Sequence, residues 1–390
     1  MAYESVLNLL QAVVSQNAAP GAALAVSRRG KLLMRESVGM AAIHPIPVPL
    51  EPDTRFDMAS LTKTMATAMV AMRFVEAGLI TLQDPIARFL NVPEEKKGIT
   101  LHHLLTHTAG FPPHIPLWTD LDSPDEAIPL ILSSVTHGRP GGQVAYSCMG
   151  YILLGKILES VGGETLDILA EKWVFGPLGM NHTGFLPVSG PSISPVPSAS
   201  FASTEMDPGT GRWLNGIVHD ENARFLGGVS GNAGLFSSLD DCTRFAAMLS
   251  NGGTLPPEIM AVPSDPKNPF EGASTRNPIS TESFLPPASS EQFLSPASFR
   301  TATRNATPGL EESRGLGFSL YDGRILSCGD LFSPGSFGHT GFTGTSIWVD
   351  ADTGLSIVFL TNTVHFGRDR DHFFRLRRQL HNAIAATFPE

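Results

Sequence analysis

Three short segments, far apart in the chain, hold the residue types best suited to chemistry. Ser60-Leu61-Thr62-Lys63 opens a stretch from Leu61 to Ala77 that is apolar on nearly all sides and closes at Gly78, so the pattern predicts a buried helix with a serine at its mouth. A spacing of three places the Ser60 hydroxyl and the Lys63 amine on one helix face, about one turn apart. A hydroxyl is a weak nucleophile at its own pKa and needs an adjacent base. Burial and the helix N-terminus both disfavour an ammonium, so Lys63 is expected to be neutral enough to act as that base. A second Ser-x-x-Lys, at Ser264 and Lys267, encloses Pro266 and has no helix face to sit on. Tyr146-Ser147-Cys148 lies just before a predicted helix, where a loop side chain can point into a cleft and a tyrosine can share protons with Lys63; a half-buried ring packing a helix start is the plainer alternative. Gly338-His339-Thr340-Gly341-Phe342 opens a strand-like segment whose small residues let a substrate approach a strand edge, or simply bend the chain.

Elements at both chain ends must bring these segments together. Val6, Leu9, Leu10, Val13 and Val14 recur at helical spacing, which predicts an amphipathic helix over Ser5 to Ser15. A hairpin follows, with strands at Ala22 to Ser27 and Lys31 to Val38 joined through Arg28, Arg29 and Gly30. Two more strands, Thr345 to Asp350 and Leu355 to Leu360, flank the turn Ala351 to Gly354, and a last helix runs from about Asp369 to Ala386. Between the ends, helices are predicted at Leu101 to Thr106, Pro124 to Ser134, Met149 to Val161 and Thr165 to Val174. The arrangement implies an α+β fold: an antiparallel sheet formed from both chain ends, residues 1–57 and 310–390, and a mainly helical lobe, residues 58–250, inserted between them. The chain is expected to be a single catalytic unit, with the site between its lobes. Pro187 to Ser203 and Leu255 to Ser290 are rich in Pro and Ser and are expected to be surface loops, residues 253–290 forming an insertion. No repeat recurs at any period from about 20 to 50 residues.

Composition narrows the function. At 390 residues, 42% hydrophobic and 16% charged, the chain has ample core and is not a disordered protein. With 27 Lys plus Arg against 37 Asp plus Glu, a formal charge of -10 and no long basic stretch, nucleic acid is not an expected partner. No run of about 18 apolar residues suggests a membrane span, and the N-terminal segment lacks a positive n-region, so the expected location is cytoplasmic. Cys148, Cys242 and Cys328 form no CxxC pair and read as reduced thiols. His103 and His107 are spaced i, i+4, but no nearby Asp, Glu or Cys completes a metal set, and with His102 they read as capping or packing residues.

The order Ser60-x-x-Lys63, Tyr146-x-Cys148 and His339-Thr340-Gly341 resembles the penicillin-recognising serine hydrolases, the group of class C β-lactamases, serine DD-peptidases and family VIII carboxylesterases. The segments His103 to Gly110 and Gly234 to Ser237 look like further signatures of the group, and the resemblance spans nearly the whole chain. It implies a β-lactamase/transpeptidase-like fold in which Ser60 is acylated, Lys63 is its proton partner and Tyr146 is the base that later activates water. The backbone amides of Ser60 and Phe342 would form the oxyanion hole. Neither a metal nor an organic cofactor is implied. Cys148 stands where the group has Asn, which orients a substrate amide, and His339 stands where most β-lactamases have Lys. A histidine partly charged at neutral pH is expected to anchor a carboxylate more weakly, and in a pH-dependent way. The segment Val218 to Ala223 looks like one found in members that process muropeptides; there His219 and Glu221 would line the cleft, unless the segment is only a solvated turn. The implied function is a carboxylesterase on short-chain esters with weak or no β-lactamase activity. Its rivals are an amidase or peptidase on muropeptide or D-Ala-D-Ala substrates, and a penicillin-binding sensor or inactive scaffold. The expected partner is a small ester or amide, with oligomeric state left open.

Overall fold

Strands whose side chains must be buried on both faces read as continuous apolar runs, and the two chain ends supply such strands. The computed structural model describes residues 2–186, 198, 200–256, 292–324 and 326–389. In it β1 (Gly21–Arg28), β2 (Lys31–Ala42) and β3 (Val48–Pro49) from one end join β4 (Ser319–Leu320), β5 (Phe337–Thr340), β6 (Ser346–Val349) and β7 (Leu355–Thr361) from the other. The spatial order is β3-β2-β1-β7-β6-β5-β4, antiparallel throughout, with β1 and β7 paired from Ala22 opposite Thr361 to Arg28 opposite Leu355. This is the β-lactamase/transpeptidase-like α+β architecture implied by the sequence.

Alternation along these strands builds two cores. Leu24, Val26, Ile357 and Phe359 face Val6, Leu10 and Val13 of the first helix (Ala2–Ser15) and Phe373, Leu376 and Leu380 of the last (Asp371–Thr387). Fully burying such side chains is worth about 1.5–3 kcal/mol each, which docks a 14-residue helix that is only marginal alone. Ala23, Ala25, Ile347, Val358 and Leu360 point the other way into a larger core shared with the helical lobe. The β1–β2 turn places both Arg29 (φ 45) and Gly30 (φ 85) in the left-handed region, as a two-residue hairpin requires. β2 continues past the predicted Val38 because Met40 and Ala42 pair with β3, a strand not anticipated from the sequence.

The predicted Leu61–Ala77 helix is wholly buried from Leu61 to Phe74, and its first turns are wide: Lys63–Ala68 is π-helical and Met69–Glu76 α-helical. The predicted Met149–Val161 helix spans Cys148–Gly162, with Ser147 as N-cap. Likewise Thr165–Val174 resolves into an α-helix, Leu166–Ala170, and a π-helical turn, Glu171–Phe175. Helices at Leu239–Ser250 and Pro296–Thr303 were not anticipated, although Ser238 and Ser295 each cap one. Residues 187–197, 199 and 257–291, with most of the two expected Pro/Ser-rich loops and the second Ser-x-x-Lys, lie outside the described residues. The end of the first stretch is not a surface loop: Ala202 and Ser203 are buried, and the Ser203 carbonyl accepts from Asn362 Nδ2 at 3.0 Å. Among the described residues no helix is long and apolar enough to cross a membrane.

Candidate active site

A short sheet sets the position of Ser60. Phe56–Asp57 and Gly184–Phe185 pair on either side of Leu235–Ser237, and Leu235 fixes the Ser60 turn from both ends: its carbonyl accepts from Met58 N–H at 2.8 Å and its N–H donates to Thr62 Oγ1 at 3.1 Å. The chain then turns sharply. Ala59 occupies the left-handed region (φ 46), unusual for a residue with a Cβ, and its N–H donates to Asp57 Oδ1 at 2.8 Å. Ser60 is half-buried at the mouth of the helix and Lys63 is wholly buried one turn on.

Lys63 Nζ donates to Ser60 Oγ at 3.0 Å and to the Asn232 carbonyl at 2.9 Å. Spacing and burial predict a readily deprotonated amine, and here the structure differs. Burial does favour the neutral form, but charge pairing with Cys148, Tyr146 and Asp220 outweighs it and holds the Lys63 ammonium above its ordinary pKa. Asn232 is itself fixed, since its Oδ1 accepts from Ser230 Oγ at 2.7 Å and its Nδ2 donates to Asp220 Oδ1 at 3.2 Å.

Tyr146 is bracketed by one histidine. The His107 carbonyl accepts from Ala145 N–H at 2.8 Å and its Nδ1 accepts from Ser147 N–H at 3.0 Å, while the imidazole lies 4.4 Å from the Tyr146 ring. His107 adopts φ 58 to do this; burial, with Arg314 and Lys63 nearby, pushes its pKa well down and keeps it neutral. His107 is therefore a packing residue, as expected for the His102, His103 and His107 group, and it positions Tyr146. Lys63 Nζ lies 5.1 Å from the centre of the Tyr146 ring.

His339-Thr340 closes β5, and the turn after it meets the Ser60 turn. Gly341 is required there because a Cβ would stand 2.5 Å from the Met58 carbonyl oxygen and 2.2 Å from Thr345 Oγ1. The glycine thus admits the close approach of the Ser60 turn rather than substrate alone. Among the described residues, neither the Ser60 nor the Phe342 backbone N–H has an acceptor, so two donors stand free beside the Ser60 hydroxyl. His339 is also a correction: burial first, then Arg314 and Lys63, lower its pKa to about 3, so it is neutral rather than partly charged at neutral pH. Its Nδ1 contacts the Thr340 carbonyl at 2.8 Å.

A cavity of about 290 Å³ joins these groups, lined by Ser60, Tyr146, His339, Thr340, Gly341 and Phe342. Its remaining wall was not anticipated: three cations, Arg314, Arg370 and Arg377, with Ser319 and Phe374. Arg314 is paired with Glu312 at 2.6 Å and donates to Ser319 Oγ at 2.9 Å. Arg370 lies 3.8 Å from the Phe342 ring and donates to the Phe342 carbonyl. Arg377 is 5% exposed and its Nε and Nη1 have no partner among the described residues. Burial, with Arg370 and Arg378 nearby, lowers its pKa to about 10, which leaves it charged at neutral pH.

Four expected site residues lie off this cavity wall: Lys63, wholly buried behind Ser60, and Cys148, His219 and Glu221. Cys148 is half-buried at its helix start. His219 is buried, donates its backbone N–H to Asp57 Oδ2 at 2.6 Å, and stacks its ring 5.7 Å from that of Phe342. Glu221 turns to Arg368, 2.6 Å away, which also binds Glu205. In that segment it is Asp220, bonded to Asn232, that reaches the Lys63 site. Among the described residues no group of three or more His, Cys, Asp or Glu could hold a metal ion.

Residues 6–381 match the Beta-lactamase family model. Among similar curated proteins, a putative D-alanyl-D-alanine carboxypeptidase of Escherichia coli O157:H7 is 28% identical over 390 residues, covering 89% of this chain and 79% of the relative. The solved structures with the same fold include a penicillin-binding protein homologue from Caulobacter crescentus (TM-score 0.69, 19% identity, 99% of this chain and 98% of that one). Another is EstCE1, described as a hydrolase with promiscuous acyltransferase activity (TM-score 0.68, 20% identity, 98% of each chain). A match to one family model over nearly the full length, on a fold shared with those structures, shows that this chain belongs to the Beta-lactamase family and is a serine hydrolase.

Proposed function

We propose that the protein hydrolyses short-chain carboxylic esters through an acyl-enzyme on Ser60. The observation that carries this reading is the 3.0 Å contact between Lys63 Nζ and Ser60 Oγ beside the free N–H groups of Ser60 and Phe342. Because Lys63 is held as an ammonium, it donates to Ser60 Oγ and favours the alkoxide, and Tyr146, entering the step as the phenolate, takes the proton and becomes the phenol. Ser60 Oγ then bonds to the ester carbon, and the carbonyl oxygen becomes an oxyanion between the two amides. A single such donor is worth roughly 3 kcal/mol of barrier. Collapse breaks the ester bond and the leaving alkoxide takes the proton from Tyr146. In the second half, water gives a proton to Tyr146 and attacks the acyl carbon; Ser60 Oγ leaves and recovers the proton. A cavity near 290 Å³ is at the small end of ligand pockets, about 300 Å³, and suits a short acyl chain.

One observation favours a second reading. Arg370 and Arg377 leave cationic donors on the cavity wall, which suit a substrate with a free carboxylate, such as a peptide ending in D-Ala-D-Ala; several similar proteins are named as putative D-alanyl-D-alanine carboxypeptidases. The two readings are separated by kcat/KM for p-nitrophenyl butyrate and for an N-acylated D-Ala-D-Ala dipeptide, each with wild type and Tyr146→Phe. The ester reading predicts faster ester turnover that falls in Tyr146→Phe; faster release of D-Ala would replace it with the peptidase.

A further inference from the structure

An oxyanion hole made of two amides works only if both point at one oxygen, and here the two come from turns more than 280 residues apart, at Ser60 and Phe342. One buried residue touches both turns. Asp57 is 2% exposed. Its Oδ1 accepts from Ala59 N–H at 2.8 Å, which holds the left-handed Ala59 that presents the Ser60 amide. Its backbone carbonyl accepts from Thr343 Oγ1 at 2.7 Å, in the turn that presents the Phe342 amide. Its Oδ2 accepts from His219 N–H at 2.6 Å, and the His219 ring stacks on the Phe342 side chain from one side while Arg370 covers it at 3.8 Å. A second tie, Thr345 Oγ1 to the Met58 carbonyl at 3.3 Å, runs parallel to the first.

Each carboxylate oxygen thus serves a different half of the hole. Resting on the acyl-enzyme reading above, we propose that Asp57 is a positioning residue that holds the Ser60 and Phe342 amides in register as one oxyanion hole. Asp57 touches neither substrate nor the reacting atoms. It acts by preventing the two turns from sliding past each other, and misplacement of a donor by about 1 Å is enough to cost about 100-fold in rate. The buried His219 receives a role by the same geometry: a brace on the Phe342 ring, not a substrate ligand.

Asp57→Asn keeps the volume but can no longer accept from both Ala59 and His219, because its amide nitrogen is a donor. The test measures p-nitrophenyl butyrate turnover per acylatable Ser60 alongside inhibition by butylboronic acid, which forms a tetrahedral anion on a reactive serine and so reads the hole directly. Asp57→Asn is expected to lower kcat about 100-fold and to weaken boronate inhibition by a similar factor, with KM changed less than about threefold. Thr343→Val, which cuts the other tie, should lose kcat and boronate affinity together, and Thr343→Ser should restore both. The Thr343 pair decides the matter if Asp57→Asn does not fold. Boronate affinity and kcat within threefold of wild type in both Asp57→Asn and Thr343→Val overturn the inference while leaving the hydrolase reading intact. Wild-type turnover in Ser60→Ala would remove that reading, and this inference with it.

Discussion

A protonated Lys63 changes which residue moves the first proton. Spacing and burial alone argued for a neutral amine, but Cys148, Tyr146 and Asp220 surround Lys63 and hold it charged, leaving Tyr146 as acceptor. Lys63→Met, which removes the cation that stabilises the Ser60 alkoxide, should lower kcat for p-nitrophenyl butyrate by at least about 100-fold, within the range that loss of one preorganised charge-stabilising donor costs; a loss under threefold would contradict the assignment. His339, with its pKa at about 3, stays neutral throughout the range from about pH 5 to 8. The pH profile of kcat/KM for a neutral ester should therefore keep its shape in His339→Gln, and loss of an inflection near 6.5 in that variant would show a titrating imidazole. Ser60, Lys63, Tyr146 and the His339-Thr340-Gly341 segment were legible because each motif is local and its spacing encodes its geometry. Asn232, Arg314, Arg370 and Arg377 were not, because their partners lie far off in sequence and only the fold brings them to Ser60. The 218–223 segment shows the limit from the other side: its proximity to the site was legible, but not that Asp220 rather than His219 or Glu221 reaches the Lys63 network.

At the scale of elements, the sheet was legible from both chain ends because strands covered on both faces carry uninterrupted apolar runs, as in Ala22 to Val26 and Ile357 to Leu360. The Leu239–Ser250 helix was missed although Leu239, Cys242, Phe245, Ala246 and Leu249 mark its buried face and Ser238 accepts from Asp241 N–H at 3.3 Å. Ser238→Ala should lower stability by about 1 kcal/mol, read as a fall in the urea midpoint at unchanged m-value. The His107 loop is the element that aims Tyr146. His107→Ala removes the acceptor for Ser147 N–H and the ring beneath Tyr146, so kcat per folded molecule should fall at least tenfold. A variant that is less stable but equally fast per active site would show that the loop does not position Tyr146.

For the whole molecule, the buried histidines make stability depend on pH. Burial lowers His339 and His381 to about 3, and His365 to about 4. These groups are neutral when folded but bind protons near pH 6.5 when unfolded, so the unfolded state binds more protons between those limits and stability falls as pH drops below about 6.5. Each fully buried one contributes up to about 1.4 kcal/mol per pH unit. Urea midpoints should decline from pH 7 to 5, and His381→Gln, remote from Ser60 and bonded to the Cys328 carbonyl at 3.2 Å, should flatten that slope. An unchanged slope in His381→Gln would contradict the assignment of a neutral buried ring.

Everything proposed for catalysis depends on Ser60, set between Lys63 and two free amides, carrying the acyl group. The most direct test is to mix the protein with p-nitrophenyl butyrate, follow nitrophenol release in wild type and Ser60→Ala, and map the acylated peptide after a rapid acid quench. Continuous release by wild type, none by Ser60→Ala, and a butyryl group on the peptide containing Ser60 are the predicted results. Release by Ser60→Ala at the wild-type rate, or a butyryl group on any other residue, would contradict it.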